Sequence, residues 1–226
     1  SGVLKLEHSA PAGIERASMQ IIAAELAQKG IEIPPENRAV VLRAIHASAD
    51  FDYADNLAFT PGAVQAGVAA LQKGAAMVTD TNMALAGLSK PSLAKLGAQA
   101  VCYMADAAVA AEADRRATTR AAVSMERAMQ EHPGAVVAVG NAPTALVRLT
   151  ELMQQGARPA LVVAVPVGFV NVVESKQQIF AACQALGVPC IAAMGRKGGS
   201  SVAAAIGNAL LYTAADTLDP ARRGWK

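Results

Sequence analysis

Aromatic side chains are nearly missing from this sequence, at 4% of 226 residues, although hydrophobic residues make up 53%. A core of that kind must be built from Ala, Val, Ile, Leu and Met, which suits helices packed closely on a parallel sheet. Net charge is equally sparse. A formal +2 with no concentrated basic run argues against nucleic acid and against an anionic membrane surface, and Arg115-Arg116 reads as solvated face. Long apolar runs are absent too. The longest, Ala160 to Val173, is broken by Pro166, Gly168 and Asn171 and is too short to span a bilayer. No signal peptide is read at the start. The three cysteines, Cys102, Cys183 and Cys190, show neither a C-x-x-C pair nor a Cys/His ligand spacing, so no metal site is expected and all three read as reduced core residues of a cytoplasmic protein.

Glycine and proline, by contrast, punctuate the chain regularly. Gly30, Gly74, Gly97, Gly156 and Gly187 fall where helices should stop, and Thr60-Pro61 and Asn141-Ala142-Pro143 fall where helices should start. Between them lie short apolar runs that predict five buried strands: 76–79, 99–104, 135–139, 161–165 and 189–194. Helices alternate with these strands. The first 75 residues differ, predicting three helices over 12–29, 35–48 and 61–73. The expected fold is α/β: a three-layer doubly wound, mainly parallel five-stranded sheet with additional N-terminal helices. No repeat or linker divides the chain, so residues 1–226 read as a single domain.

In such sheets, ligands bind beyond the carboxyl ends of the strands, where loops converge and helix N-termini point inward. Those ends carry Thr79-Asp80-Thr81-Asn82-Met83, Gly140-Asn141-Ala142-Pro143-Thr144, Pro166-Val167-Gly168-Phe169 leading to Glu174-Ser175-Lys176, and Gly195-Arg196-Lys197-Gly198-Gly199-Ser200. The last is the most informative. A strand, a glycine-rich basic loop and an Ala-rich helix can gather backbone amides, a helix dipole and two cations around one anion, carboxylate or phosphate; the same loop could also be only a tight packing turn. It matches neither a Walker loop nor a dinucleotide fingerprint.

Only three histidines are available as an acid or base near neutrality. His8 lies in a tail, and His132 in Glu131-His132-Pro133-Gly134 suits a helix end. His46 sits late in the second helix and borders its apolar stripe. Spacing leaves it open between a satisfied core histidine and a proton donor at a helix C-terminus. No Gly-x-Ser-x-Gly elbow supports a serine nucleophile.

With these motifs assembled, the sequence resembles the precorrin-8X methylmutase (precorrin isomerase) family over roughly residues 14–212. Five landmarks carry the resemblance in order: Ile45-His46-Ala47-Ser48-Ala49-Asp50-Phe51-Asp52, Thr79-Asp80-Thr81-Asn82-Met83-Ala84-Leu85, Val139-Gly140-Asn141-Ala142-Pro143-Thr144, Val165-Pro166-Val167-Gly168-Phe169-Val170 with Glu174-Ser175-Lys176, and Gly195-Arg196-Lys197-Gly198-Gly199-Ser200. The resemblance implies a cofactor-free isomerase that moves a methyl group from C-11 to C-12 of a corrin precursor, with His46 donating a proton. It implies a tetrapyrrole substrate bound by Ser18, Thr81, Arg120, Asn141, Lys176, Arg196, Lys197, Gly198, Gly199 and Ser200. Lys176 and Glu174 could instead form a structural pair.

The Asp-rich stretch after His46, the Thr-Asp-Thr element and the glycine loop resemble the cobalt-precorrin-8 branch, in which cobalt belongs to the substrate. The family resemblance also implies a homodimer with the cleft near the subunit interface. Two departures stand out: Met19 occupies a position where phenylalanine is common, and Ala121 one where many relatives have serine. Two other readings compete, a non-catalytic tetrapyrrole carrier and a nucleotide-binding α/β protein.

Overall fold

The structure, a computed structural model, describes residues 2–7 and 10–224. His8 therefore lies outside the described residues. The chain runs through α1 (Pro11–Gln28), a 3-10 turn (Pro35–Asn37), α2 (Arg38–Ser48), α3 (Tyr53–Asn56), β1 (Leu57–Phe59), α4 (Ala63–Gln72), β2 (Met77–Thr79), α5 (Asn82–Gly87), α6 (Lys90–Leu96), β3 (Ala100–Val101), α7 (Ala107–Arg116), α8 (Arg120–Glu131), β4 (Val136–Val139), α9 (Pro143–Gln154), β5 (Leu161–Ala164), α10 (Val172–Leu186), β6 (Cys190–Ala193) and α11 (Ser200–Ala214), with a 3-10 turn over Pro220–Arg223.

The strands form one sheet in the order β1-β6-β5-β4-β2-β3. All neighbouring pairs are parallel except β1 with β6. Alternate residues of each central strand face opposite cores: Leu161 and Val163 point to one, Val162 and Ala164 to the other. Both faces are buried, and this is why these strands read as unbroken apolar runs. Residues of α2, α4 and α11 build the first core, and residues of α7, α8, α9 and α10 build the second. The three layers are those expected.

The strand count was short by one. Leu57-Ala58-Phe59 is too brief to show a period, and its partner, the edge of β6, is 136 residues away at Leu57↔Ala193 and 132 at Phe59↔Ile191. Covering that edge removes a row of unpaired backbone groups. Thr60 does not cap α4 as expected. Its backbone and hydroxyl instead pair with the backbone of Cys190, and α4 begins at Ala63 after Gly62. The five helix-stop glycines all take positive φ. Cys183 and Cys190 are buried, but Cys102 is only half-buried, beyond the end of β3, and so is not a core residue.

β2 leads to β3 on one side of the sheet, while β3 leads past β2 to β4, β5 and β6 on the other. The strand order thus reverses between β2 and β4. In doubly wound sheets the ligand crevice opens at such a point, outside the carboxyl ends of the strands.

Candidate functional site

At the reversal point the protein supplies an anion of its own. Asp80, 1% exposed, follows β2 and accepts hydrogen bonds from the backbone N–H groups of Gly140 (2.8 Å), Asn141 (2.9 Å) and Ala142 (2.8 Å). These amides lead into α9, whose N-cap, Ala142, has no side-chain acceptor. Asp80 takes the place a cap or an anionic ligand would occupy. Burial pushes its pKa up, the amides pull it down, and burial prevails. Next to it, Thr81 caps α5 by accepting from Ala84 N–H, and its hydroxyl lies 2.8 Å from that of Ser200.

The glycine loop between β6 and α11 is held from below. Lys176, wholly buried, donates from Nζ to the carbonyls of Gly195 (2.8 Å) and Lys197 (2.9 Å). The carbonyl between them, that of Arg196, accepts from Gly168 N–H (3.0 Å). Gly199 N–H donates to Val165 O (2.8 Å). A Cβ on Gly198 would lie 2.1 Å from Val165 O, so only glycine fits. Gly140 is similarly confined, at 2.9 Å from Gly199 O and from Ser200 Cα.

His46 lies on the last turn of α2, which packs along α11. It is exposed, not a core histidine, and lines a shallow groove of about 290 Å³ with Arg43, Ala47, Gly87, Ser201, Ala204, Ala205 and Asn208. Partial burial, and then the charge of Arg43, push its pKa below the ordinary 6.5, while Glu15 pulls the other way. Beyond it, Ser48 donates to Ala44 O and accepts from Asp50 N–H, and Ala49 turns left-handed. That turn aims Asp50 and Asp52 at Lys197, whose Nζ lies 2.6 Å and 2.5 Å from their carboxylates. The helix bearing His46 and the glycine loop are thereby joined.

These contacts revise the roles expected for several residues. Lys176 is sealed beneath the loop with two carbonyl acceptors and is not presented to a ligand; burial pushes its pKa down to about 8. No Glu174–Lys176 pair forms among the described residues. Lys197 is neutralised by two aspartates, and the Gly199 amide is already donated. Thr81 and Ser200 hold each other. Arg120, at the start of α8, and Asn141, before α9 with its N–H on Asp80, are exposed and do not line the His46 groove. Ser18, half-buried on α1, is not among the residues lining the His46 groove.

Sequence reasoning missed Asp80, Asp50, Asp52 and Arg43 as site-building residues. An acceptor-free N-cap ahead of α9 was the available signal for Asp80.

A larger cavity, about 510 Å³, lies on the other side of Arg43, between α1, α2 and the C-terminal turn. Glu15 forms its polar floor: it pairs with Arg43 (3.0 Å) and with Arg223, and both guanidinium groups stack on Tyr212, at 4.8 and 4.1 Å. Burial raises the Glu15 pKa, but the two arginines outweigh it and hold the carboxyl below the usual range.

The family model described as precorrin-8X methylmutase matches residues 13–213. A cobalt-precorrin-8 methylmutase of Priestia megaterium is 41% identical over 201 residues, covering 88% of this chain and 87% of the relative. A precorrin-8X methylmutase of Pseudomonas aeruginosa is 41% identical over 198 residues, covering 87% and 93%. Among solved structures, the precorrin-8X methyl mutase of Thermus thermophilus superposes with a TM-score of 0.82 at 43% identity, covering 90% of this chain and 96% of that one.

Proposed function

Because this chain belongs to the precorrin-8X methylmutase family, whose members are isomerases of cobalamin biosynthesis, we propose that it moves the ring-C methyl group of precorrin-8 or cobalt-precorrin-8 from C-11 to C-12, with His46 as proton donor. One observation carries the assignment of His46: an accessible imidazole at a helix C-terminus, in a groove that adjoins the first turn of α11 at the ligand-bearing rim of the sheet. A proton delivered to the macrocycle makes the ring electron-poor. A migrating methyl group then meets less accumulated charge in the transition state, which is where rate is gained. The reaction conserves composition and calls for no cofactor, with cobalt, if present, arriving inside the substrate.

A groove of about 290 Å³ is at the small end even for drug-sized ligands. A tetrapyrrole is larger, so the reading includes a homodimer in which a second copy completes the cleft. Sedimentation should then give twice the 23.1 kDa mass of the chain.

The deciding experiment is incubation with cobalt-precorrin-8, followed by absorption and mass spectra. A changed spectrum at constant mass is expected, and an unaltered spectrum with folded protein would overturn the proposal. His46→Ala should bind the substrate and leave it unconverted. A carrier, in contrast, would give no conversion with the wild-type protein either.

A further inference from the structure

The loop from β5 to α10 exposes an unusual run of apolar side chains at the carboxyl rim: Val167 at 48%, Phe169 at 74% and Val170 at 80%. Exposed aliphatic residues are commonplace singly, but three in four positions, beside the ligand-bearing edge of the sheet, mark a binding surface. The Arg196 guanidinium stands 4.9 Å from the centre of the Phe169 ring and forms no ion pair among the described residues. It differs in this from the two lysines of the same rim, Lys197 being paired with Asp50 and Asp52 and Lys176 being buried against carbonyls.

The backbone that carries the two side chains is also held in place. Three successive carbonyls, those of Gly195, Arg196 and Lys197, are all occupied, the outer two by the Lys176 ammonium and the middle one by Gly168 N–H. The last of these bonds ties the Phe169 loop directly to the Arg196 loop. Positive φ at Gly168 and Asn171 sets the bends on either side of Phe169, and Gly199 rests near Val167, whose Cγ1 would be 3.8 Å from a Cβ there. The cost of ordering the two loops has thus been met before any ligand arrives.

From this arrangement we propose that Phe169 and Arg196 form a platform for the substrate, the ring stacking on a flat face of the macrocycle while the guanidinium holds one of its peripheral carboxylates. The proposal rests on the methylmutase reading and deepens it: Phe169 is added as a specificity-determining residue, and Arg196, already expected to meet substrate, is assigned a peripheral carboxylate. An apolar disc with an anionic fringe is complementary to an aromatic face with an unneutralised cation at its edge. Lys176 is then a positioning residue that acts through the carbonyls on either side of Arg196.

The test is calorimetric titration of the full chain with cobyrinic acid, a corrin with free carboxylates, and with its fully amidated analogue. Phe169→Ala should weaken both ligands about tenfold, and Arg196→Gln should weaken the acid about tenfold while leaving the amide unchanged. Both side chains lie at the surface, so thermal unfolding should be unaltered, and Phe169→Leu gives a second variant that keeps an apolar side chain. Wild-type binding with unchanged affinity in all three variants would overturn the platform and leave the methylmutase reading standing. Failure of the wild-type protein to bind either corrin would remove both. Sedimentation supplies the remaining arm: a Phe169→Ala protein that loses the wild-type assembly mass would assign this surface to a second copy and overturn the platform.

Discussion

At the scale of the residue, His46 combines exposure with a perturbed proton affinity. The helix C-terminus favours the imidazolium, but partial burial and then Arg43, three residues earlier on the same helix, outweigh it and lower the pKa from 6.5. A proton donor must be charged to act. The rate at limiting substrate should therefore fall as pH rises through a value below 6.5, and initial rates across pH would show this as the alkaline limb of kcat/KM. A profile flat from pH 5 to 8 would rule His46 out as the donor. The type of residue needed was legible from the scarcity of histidine. Its exposure was not, since Leu42, His46 and Ala49 adjoin the buried stripe of Val41 and Ile45 closely enough to be read as core.

Elements placed the rest of the site. Asp80 at the end of β2 satisfies three amides ahead of α9; the capless Ala142 signals that an acceptor is needed but not that it comes from 60 residues away. Asp80→Asn would turn an N–H₂ toward backbone donors, so a loss of about 2–3 kcal/mol is expected by chemical denaturation. Gly198→Ala forces a methyl group onto Val165 O. Overpacking of that sort typically costs about 1–3 kcal/mol, and here it should also lower substrate affinity by shifting the loop. The loop was legible as a glycine-rich strand-to-helix turn. Lys176 and Lys197 read as ligand contacts because sequence spacing reveals a charge but not what faces it: Lys176 meets carbonyls, and Lys197 meets aspartates on the connection between α2 and α3.

Over the whole molecule, the N-terminal helices and the C-terminal turn close on each other through Glu15, Arg43, Arg223 and Tyr212. Glu15 has a folded pKa below 4.5, so its contribution to stability is fully present above that value and is lost as pH falls through the folded pKa. Glu15→Gln removes the carboxylate that the buried Arg43 and Arg223 guanidinium groups share. At pH 7 it should cost about 3–5 kcal/mol, and the gap from wild type should close in acid, as measured by urea unfolding at each pH. A gap that stays constant down to pH 2 would show that charge is not the source of the effect.

The sequence by itself determined the layered α/β architecture, the strands of the central sheet, the rim on which chemistry collects and the family, because each is written in short-range periodicity, turn residues or contiguous motifs. Tertiary structure decided what the charged groups of that rim do. Whether Lys176, Lys197, Asp80 or Arg196 meets solvent or an internal partner depends on residues between 19 and 147 positions away, and the energy of a charge is set by its neighbours in space.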